Sequence, residues 1–230
     1  MTAERLLTGA APSRAEGRRA SECAAASEPP ATAECRAGPP AVMPDPIEVP
    51  VPGLVVLVGA AGAGKSTLAA RLFEPSEILS SDTLRAAISG NATDQRATRS
   101  AFAILHREVR RRLLAGRLVV VDATNVETTA RAGLLRLADA AGVPAIAVVI
   151  LSAASEVHAR NAARVGRVVP ADIVDRHLRR LGDLGAGPTA ITARLREEGF
   201  AAAHVLMTVA DLTAVGVVRR VAADRSLSRR

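Results

Sequence analysis

An α/β fold, a mostly parallel sheet doubly wound with helices on both faces, is what this 230-residue sequence predicts. Three observations carry it. Short apolar runs recur at Leu54–Val58, Leu118–Val121 and Ala145–Leu151, as in strands covered on both faces. Segments with helical spacing lie between these runs, and strands alternating with helices pair in parallel. The first run leads directly into a glycine-rich turn and a helix, Gly59-Ala60-Ala61-Gly62-Ala63-Gly64-Lys65-Ser66.

The elements follow in order. Residues 1–53 hold nine of the 13 prolines, carry a net charge of −2 and show no sustained periodicity. This predicts a disordered tail over 1–49 and a folded domain over 50–230. Residues 1–42 read either as a regulatory extension or as sequence upstream of a start at Met43. Leu54–Val58 is the first strand, and a helix is expected around Ser66–Leu72. Glu77–Ser80 reads as a short second strand ending at Ser81-Asp82, and Asn91–Gln95 as a loop. Thr98–Ala115 places Phe102, Leu105, Val109 and Leu113 on one helical face. Leu118–Val121 is the third strand, ending in Asp122; a helix follows over 127–141, and Ala145–Leu151 is the fourth strand. Ser155–Arg164, Ala171–Leu184 and Ala190–Glu198 read as helices, with Ala202–Met207 and Ala214–Val218 as further strand candidates.

Composition narrows the function. There is no Trp or Tyr, and Phe73, Phe102 and Phe200 are the only aromatic hydrocarbons. That argues against nucleic-acid modules that stack bases on several aromatics. Cys23 and Cys35 form no metal-ligand pattern. The start lacks a secretory h-region and no apolar run reaches about 20 residues, so a cytoplasmic protein away from membranes is expected. Residues 54–230 carry a net charge of +9, which favours anionic ligands. Of 30 basic residues, 29 are Arg and one is Lys65.

The lone lysine sits in a full G-x-x-x-x-G-K-[ST] pattern. Glycines let the backbone N–H groups of such a loop turn inward onto phosphate oxygens, and the helix N-terminus adds positive potential. Lys65 is expected on the β- and γ-phosphates and the Ser66 hydroxyl on Mg²⁺. With one lysine in the chain no Asn-Lys-x-Asp guanine signature is possible, which argues against a GTPase switch.

Asp82 ends the second predicted strand, at the sheet edge where ligands bind, and Arg85 follows one helical turn later. A carboxylate there can orient an acceptor hydroxyl and take its proton, and an arginine beside it can hold the phosphoryl group. The residues alone equally allow Asp82 to cap a helix beginning at Thr83. Asp122 can hold Mg²⁺ through water in the manner of a Walker B aspartate. Arg160 and Arg164, four apart on one helix face, and Arg167 just beyond can close over a triphosphate, or simply face solvent. His106, His158, His177 and His204 show no metal spacing and read as structural or surface residues.

Taken together, Gly59–Thr67, Ser80–Arg85, Asp94-Gln95-Arg96-Ala97-Thr98, Val121–Asn125 and Arg160–Arg164 resemble the kinase module of bacterial polynucleotide kinase-phosphatase, in the polynucleotide 5′-hydroxyl kinase family of P-loop kinases. The resemblance covers roughly residues 50–220. It implies that Asp82 is a general base toward a polynucleotide 5′-OH and that Arg85 contacts the transferring phosphoryl group. It further implies that Gln95 lies on the acceptor side and that Arg160 and Arg164 are lid residues on ATP. The expectation is an ATP- and Mg²⁺-dependent kinase acting on a nucleic acid 5′-OH end. A kinase for a small hydroxylated molecule, and an ATP-binding module with little catalysis, stand as alternatives.

Overall fold

In the computed structural model, residues 45–89, 98–164 and 168–221 are described. Five strands form one parallel sheet: β2 (Gly53–Val58), β3 (Ile78–Ser80), β4 (Leu118–Asp122), β5 (Ala145–Ile150) and β6 (Ala202–Leu206), in the order β3-β4-β2-β5-β6. The helices that connect and cover them are α1 (Lys65–Leu72), α2 (Ser81–Ser89), α3 (Thr98–Leu114) and α4 (Thr128–Ala140), then α5 (Ala154–Ala162), α6 (Ala171–Gly182) and α7 (Pro188–Glu197).

The three central strands are buried at every residue, as their unbroken apolar runs require. Alternate side chains feed two cores, because successive residues of a strand point to opposite faces. On one face Val56, Val58, Val119, Val121 and Val149 meet Leu105 and Val109 of α3, Leu134 of α4 and Leu195 of α7. On the other, Val55, Leu57, Val120, Val148 and Ile150 meet Leu68 and Ala69 of α1. The chain leaves β2 toward β3 and β4 on one side and later reaches β5 on the other. The carboxyl end of β2 is therefore the switch point of the sheet, where such folds bind ligands.

The second face is completed by a feature the sequence did not suggest. β1 (Ile47–Val51) pairs in parallel with β7 (Val217–Val221), and Ile47 and Val49 are fully buried in the core beside α1. β1 begins inside the proline-rich stretch that the sequence assigned to the tail, before the expected domain start at residue 50. Pro46, Pro50 and Pro52 hide it, since proline is tolerated only at strand ends and edges.

Ala214–Val218 is not a strand as expected. The chain there ends helix α8 (Val209–Ala214) and begins β7 only at Val217. A capping box sets the helix start: the Asp211 N–H donates to Thr208 Oγ1 and the Thr208 N–H to Asp211 Oδ2. The described residues belong to one compact unit, Val42–Arg230. Among them, no helix is long and apolar enough to cross a membrane.

Candidate active site

The phosphate loop joins β2 to α1. Gly62 and Gly64 take positive φ angles of 90° and 100°, which L-residues rarely adopt. A Cβ on Gly62 would also lie 2.6 Å from the Val157 carbonyl oxygen, so the loop can rest on α5 only without a side chain there. Gly64 is the N-cap of α1 and contributes no side-chain cap, leaving the first-turn N–H groups open to an anion. Lys65 is buried, and its Nζ donates to the carbonyls of Gly59 (2.9 Å) and Ala60 (2.7 Å). Ala61, Gly62, Gly64, Lys65, Ser66 and Thr67 line a cavity of about 510 Å³. Gly59, Ala60 and Ala63 do not line it. The Gly59 N–H donates to the Thr124 carbonyl (3.0 Å), while Ala60 and Ala63 face a cavity of about 220 Å³ behind the loop.

Asp122 ends β4 beside Ser80 of β3, and its Oδ2 accepts from Ser66 Oγ at 2.7 Å. A hydroxyl and a carboxylate at a phosphate loop are the hard oxygen donors that Mg²⁺ prefers. Among the described residues no cluster of three or more His, Cys, Asp or Glu could hold a metal. Ser66 and Asp122 are the residues that would hold a Mg²⁺ here, and their oxygens fit it.

Asp82 does not cap a helix beginning at Thr83. Helix α2 already starts at Ser81, Asp82 stands in its first turn, and the Thr83 N–H points to Ser80 Oγ at 3.5 Å. The carboxylate is instead held by cations. Arg85, buried one turn on, donates to Asp82 Oδ1, and Arg164 reaches Asp82 Oδ2 at 3.5 Å. Both arginines and Asp82 line the large cavity together with Lys65, Ser66 and Asp122.

Arg160 also lines it, and donates to Glu156 Oε2 at 2.8 Å. Arg160 and Arg164 do not share one helix face as expected, because α5 ends at Ala162. The cause is Asn161: its Nδ2 donates to the Val169 carbonyl (2.7 Å) and its Oδ1 accepts the Val169 N–H (3.1 Å), tying the returning chain to the helix end. Gln95 and Arg167 lie outside the described residues.

Other contributors were invisible in the sequence. Phe102, Val169, Ile173 and His177 also line the cavity, so His177, read from the sequence as structural or surface, lies at the site. Behind Asp122, Asn125 adopts a positive φ of 47° and its Nδ2 donates to the Leu57 carbonyl at 2.8 Å. Arg131, wholly buried, donates to the carbonyls of Asn125 (3.0 Å) and Val126 (2.8 Å) and to both carboxylate oxygens of Glu198 (2.6 and 2.7 Å). This pair fixes the loop that follows Asp122. No spacing could reveal it, since the partners are 67 positions apart.

A nucleotide-sized cavity on a phosphate loop at the switch point of a parallel sheet defines a P-loop protein of kinase-like architecture. A family model described as an AAA domain matches residues 54–184, and the chain belongs to that family. No curated protein matches it. Among the solved structures that are similar are three with a TM-score of 0.50. Kti12 from Chaetomium thermophilum, in complex with ADP-AlF3, is 19% identical over 70% of this chain and 94% of its own. A chain of the Pnkp1/Rnl/Hen1 RNA repair complex is 19% identical over 59% of this chain and 45% of its own. A chain of the PezAT toxin-antitoxin system of Streptococcus pneumoniae is 16% identical over 71% of this chain and 68% of its own. At these identities the likeness concerns the fold.

Proposed function

We propose that the protein transfers the γ-phosphoryl group of ATP to a hydroxyl acceptor, the 5′-OH end of a polynucleotide. One observation carries the reading: Asp82, gripped by two arginines, lies in the same cavity as the phosphate loop. A carboxylate among arginines next to a triphosphate site suits a group that must meet an incoming hydroxyl and an anion together. The resemblance to polynucleotide 5′-hydroxyl kinases and the basic domain support a nucleic-acid acceptor over a neutral one.

In this reading the triphosphate rests on the N–H groups between Ala61 and Thr67, with Lys65 turned from its own loop toward the β- and γ-oxygens. Asp82 accepts a hydrogen bond from the acceptor hydroxyl, aims its oxygen at the γ-phosphorus and takes its proton as the new P–O bond forms. The bond from the γ-phosphorus to the bridging oxygen breaks, and ADP leaves. Arg85, Arg160 and Arg164 balance charge on the γ-oxygens. Ser66 and Asp122 would hold Mg²⁺, which when bound supplies charge neutralisation across the β- and γ-phosphates.

A panel of acceptors with labelled ATP tests the proposal. Transfer to 5′-OH oligonucleotides, with none to sugars or nucleosides, is expected. Transfer confined to a small hydroxylated molecule would overturn the polynucleotide acceptor. ATP binding without acceptor-stimulated ADP release would overturn the kinase reading itself.

A further inference from the structure

Of the three phenylalanines in the chain, Phe73 and Phe200 are buried in the core, and Phe102 alone reaches the large cavity. Phe102 belongs to α3, which packs against α2, the helix that carries Asp82 and Arg85. Val169 and Ile173 line the same cavity. Arg164, whose guanidinium reaches Asp82 at 3.5 Å, lines it as well. The Asn161 clamp on Val169 fixes where the chain returns. Three apolar side chains, on two separate helices and a clamped turn, thus line the same cavity as Asp82.

This surface bears on the substrate class. A polyol shows a hydroxyl on every side, and a wall that strips water from it must offer a partner to each or leave it unsatisfied. Phe102, Val169 and Ile173 offer none. A planar heterocycle, by contrast, buries an apolar face against such a wall and keeps its polar edge free.

Resting on the polynucleotide reading above, we propose that Phe102 is the stacking platform for the base of the acceptor's terminal nucleotide. Val169 and Ile173 close the slot, and the enzyme selects the flat ring that adjoins the reacting hydroxyl. Phe102 is then a specificity-determining residue: it acts on acceptor use and leaves ATP binding alone. Because one aromatic contacts one base, recognition concentrates on the first nucleotide.

The test compares two 5′-OH oligonucleotides of one sequence, the second lacking the base on its 5′ residue. With the unaltered full chain, kcat/KM should fall about 10-fold or more for the baseless acceptor, the range expected for losing one base–aromatic stack. Phe102→Leu should lower kcat/KM similarly on the base-bearing acceptor and little on the baseless one, with ATP affinity and Tm near those of the parent. Phe102→Tyr should restore the discrimination. Equal use of the two acceptors by the unaltered enzyme would overturn the inference, and that comparison holds even if the Leu variant fails to fold. An equal loss on both acceptors in a folded Phe102→Leu variant would also overturn it. Absence of transfer to any oligonucleotide would overturn the polynucleotide reading and this inference together, a result distinct from equal use.

Discussion

Lys65 donates to the carbonyls of Gly59 and Ala60, within the loop on which a triphosphate would rest. Arginine serves for cations everywhere else in the chain, yet its planar fork cannot replace a compact ammonium in so tight a turn. Lys65→Ala and Lys65→Arg should both abolish phosphoryl transfer while the domain still unfolds cooperatively; parent-like turnover in either would contradict the assigned role. Asp82→Asn keeps the shape and removes the charge that Arg85 and Arg164 grip. Transfer should fall by about 10²–10⁴-fold with ATP affinity nearly unchanged, as read by single-turnover rates beside equilibrium nucleotide binding. Arg164→Ala should mainly raise the KM for ATP, because its side chain lines the same cavity as the phosphate loop as well as reaching Asp82.

At the scale of elements, the loop behind Asp122 is held by a buried ion pair, and α1 is covered by a two-stranded ribbon. Arg131→Met would leave Glu198 only its longer contact to Arg194 at 3.9 Å, and breaking one side of a buried pair costs about 3–5 kcal/mol. A lowered Tm together with a weakened response to Mg²⁺ is expected, since the same guanidinium holds the Asn125 and Val126 carbonyls. Ile47→Ala should cost about 2–5 kcal/mol, the range for emptying a fully buried aliphatic site. Chemical denaturation would show it, and an unchanged midpoint would mean that β1 is not part of the core.

These elements also mark what the sequence could reveal. β2, β4 and β5 were legible because burial on both faces leaves unbroken apolar runs, and the phosphate loop because its glycines are demanded by backbone geometry. β1 was not, because prolines mask a strand whose hydrogen bonds go to one side only. Nor was α8, whose short polar start reads as a turn unless Thr208 and Asp211 are taken as a pair. Asp82 and Arg85 were legible as a spacing. The Arg131–Glu198 and Asn161–Val169 contacts were not, because tertiary folding alone brings them together.

Across the whole molecule, charge and protonation set the response to solvent. If the acceptor is a polyanion, its apparent affinity should fall steeply as salt rises, through counterion release, whereas a neutral acceptor would give a flat profile. Acid should destabilise the domain for a separate reason. Burial lowers the pKa of both His106 and His204; Arg136 adds to the effect at His106, while at His204 the Glu48 carboxylate opposes it and Arg196 adds to it. The unfolded chain therefore binds these protons more readily than the folded one. Their contribution to stability is fully present above the ordinary imidazole value of about 6.5 and is lost as pH falls below it. Melting temperatures recorded between pH 7.5 and 5.5 should decline, and replacing both histidines by Gln should flatten the trend.

The kinase assignment itself turns on where the γ-phosphate goes. Incubating the full chain with γ-labelled ATP, Mg²⁺ and a 5′-OH oligonucleotide, then separating products, measures this directly. The label should appear as a 5′-terminal phosphate on the oligonucleotide, and Asp82→Asn should remove it. Label found only as inorganic phosphate, at a rate indifferent to the oligonucleotide and to Asp82, would contradict the account.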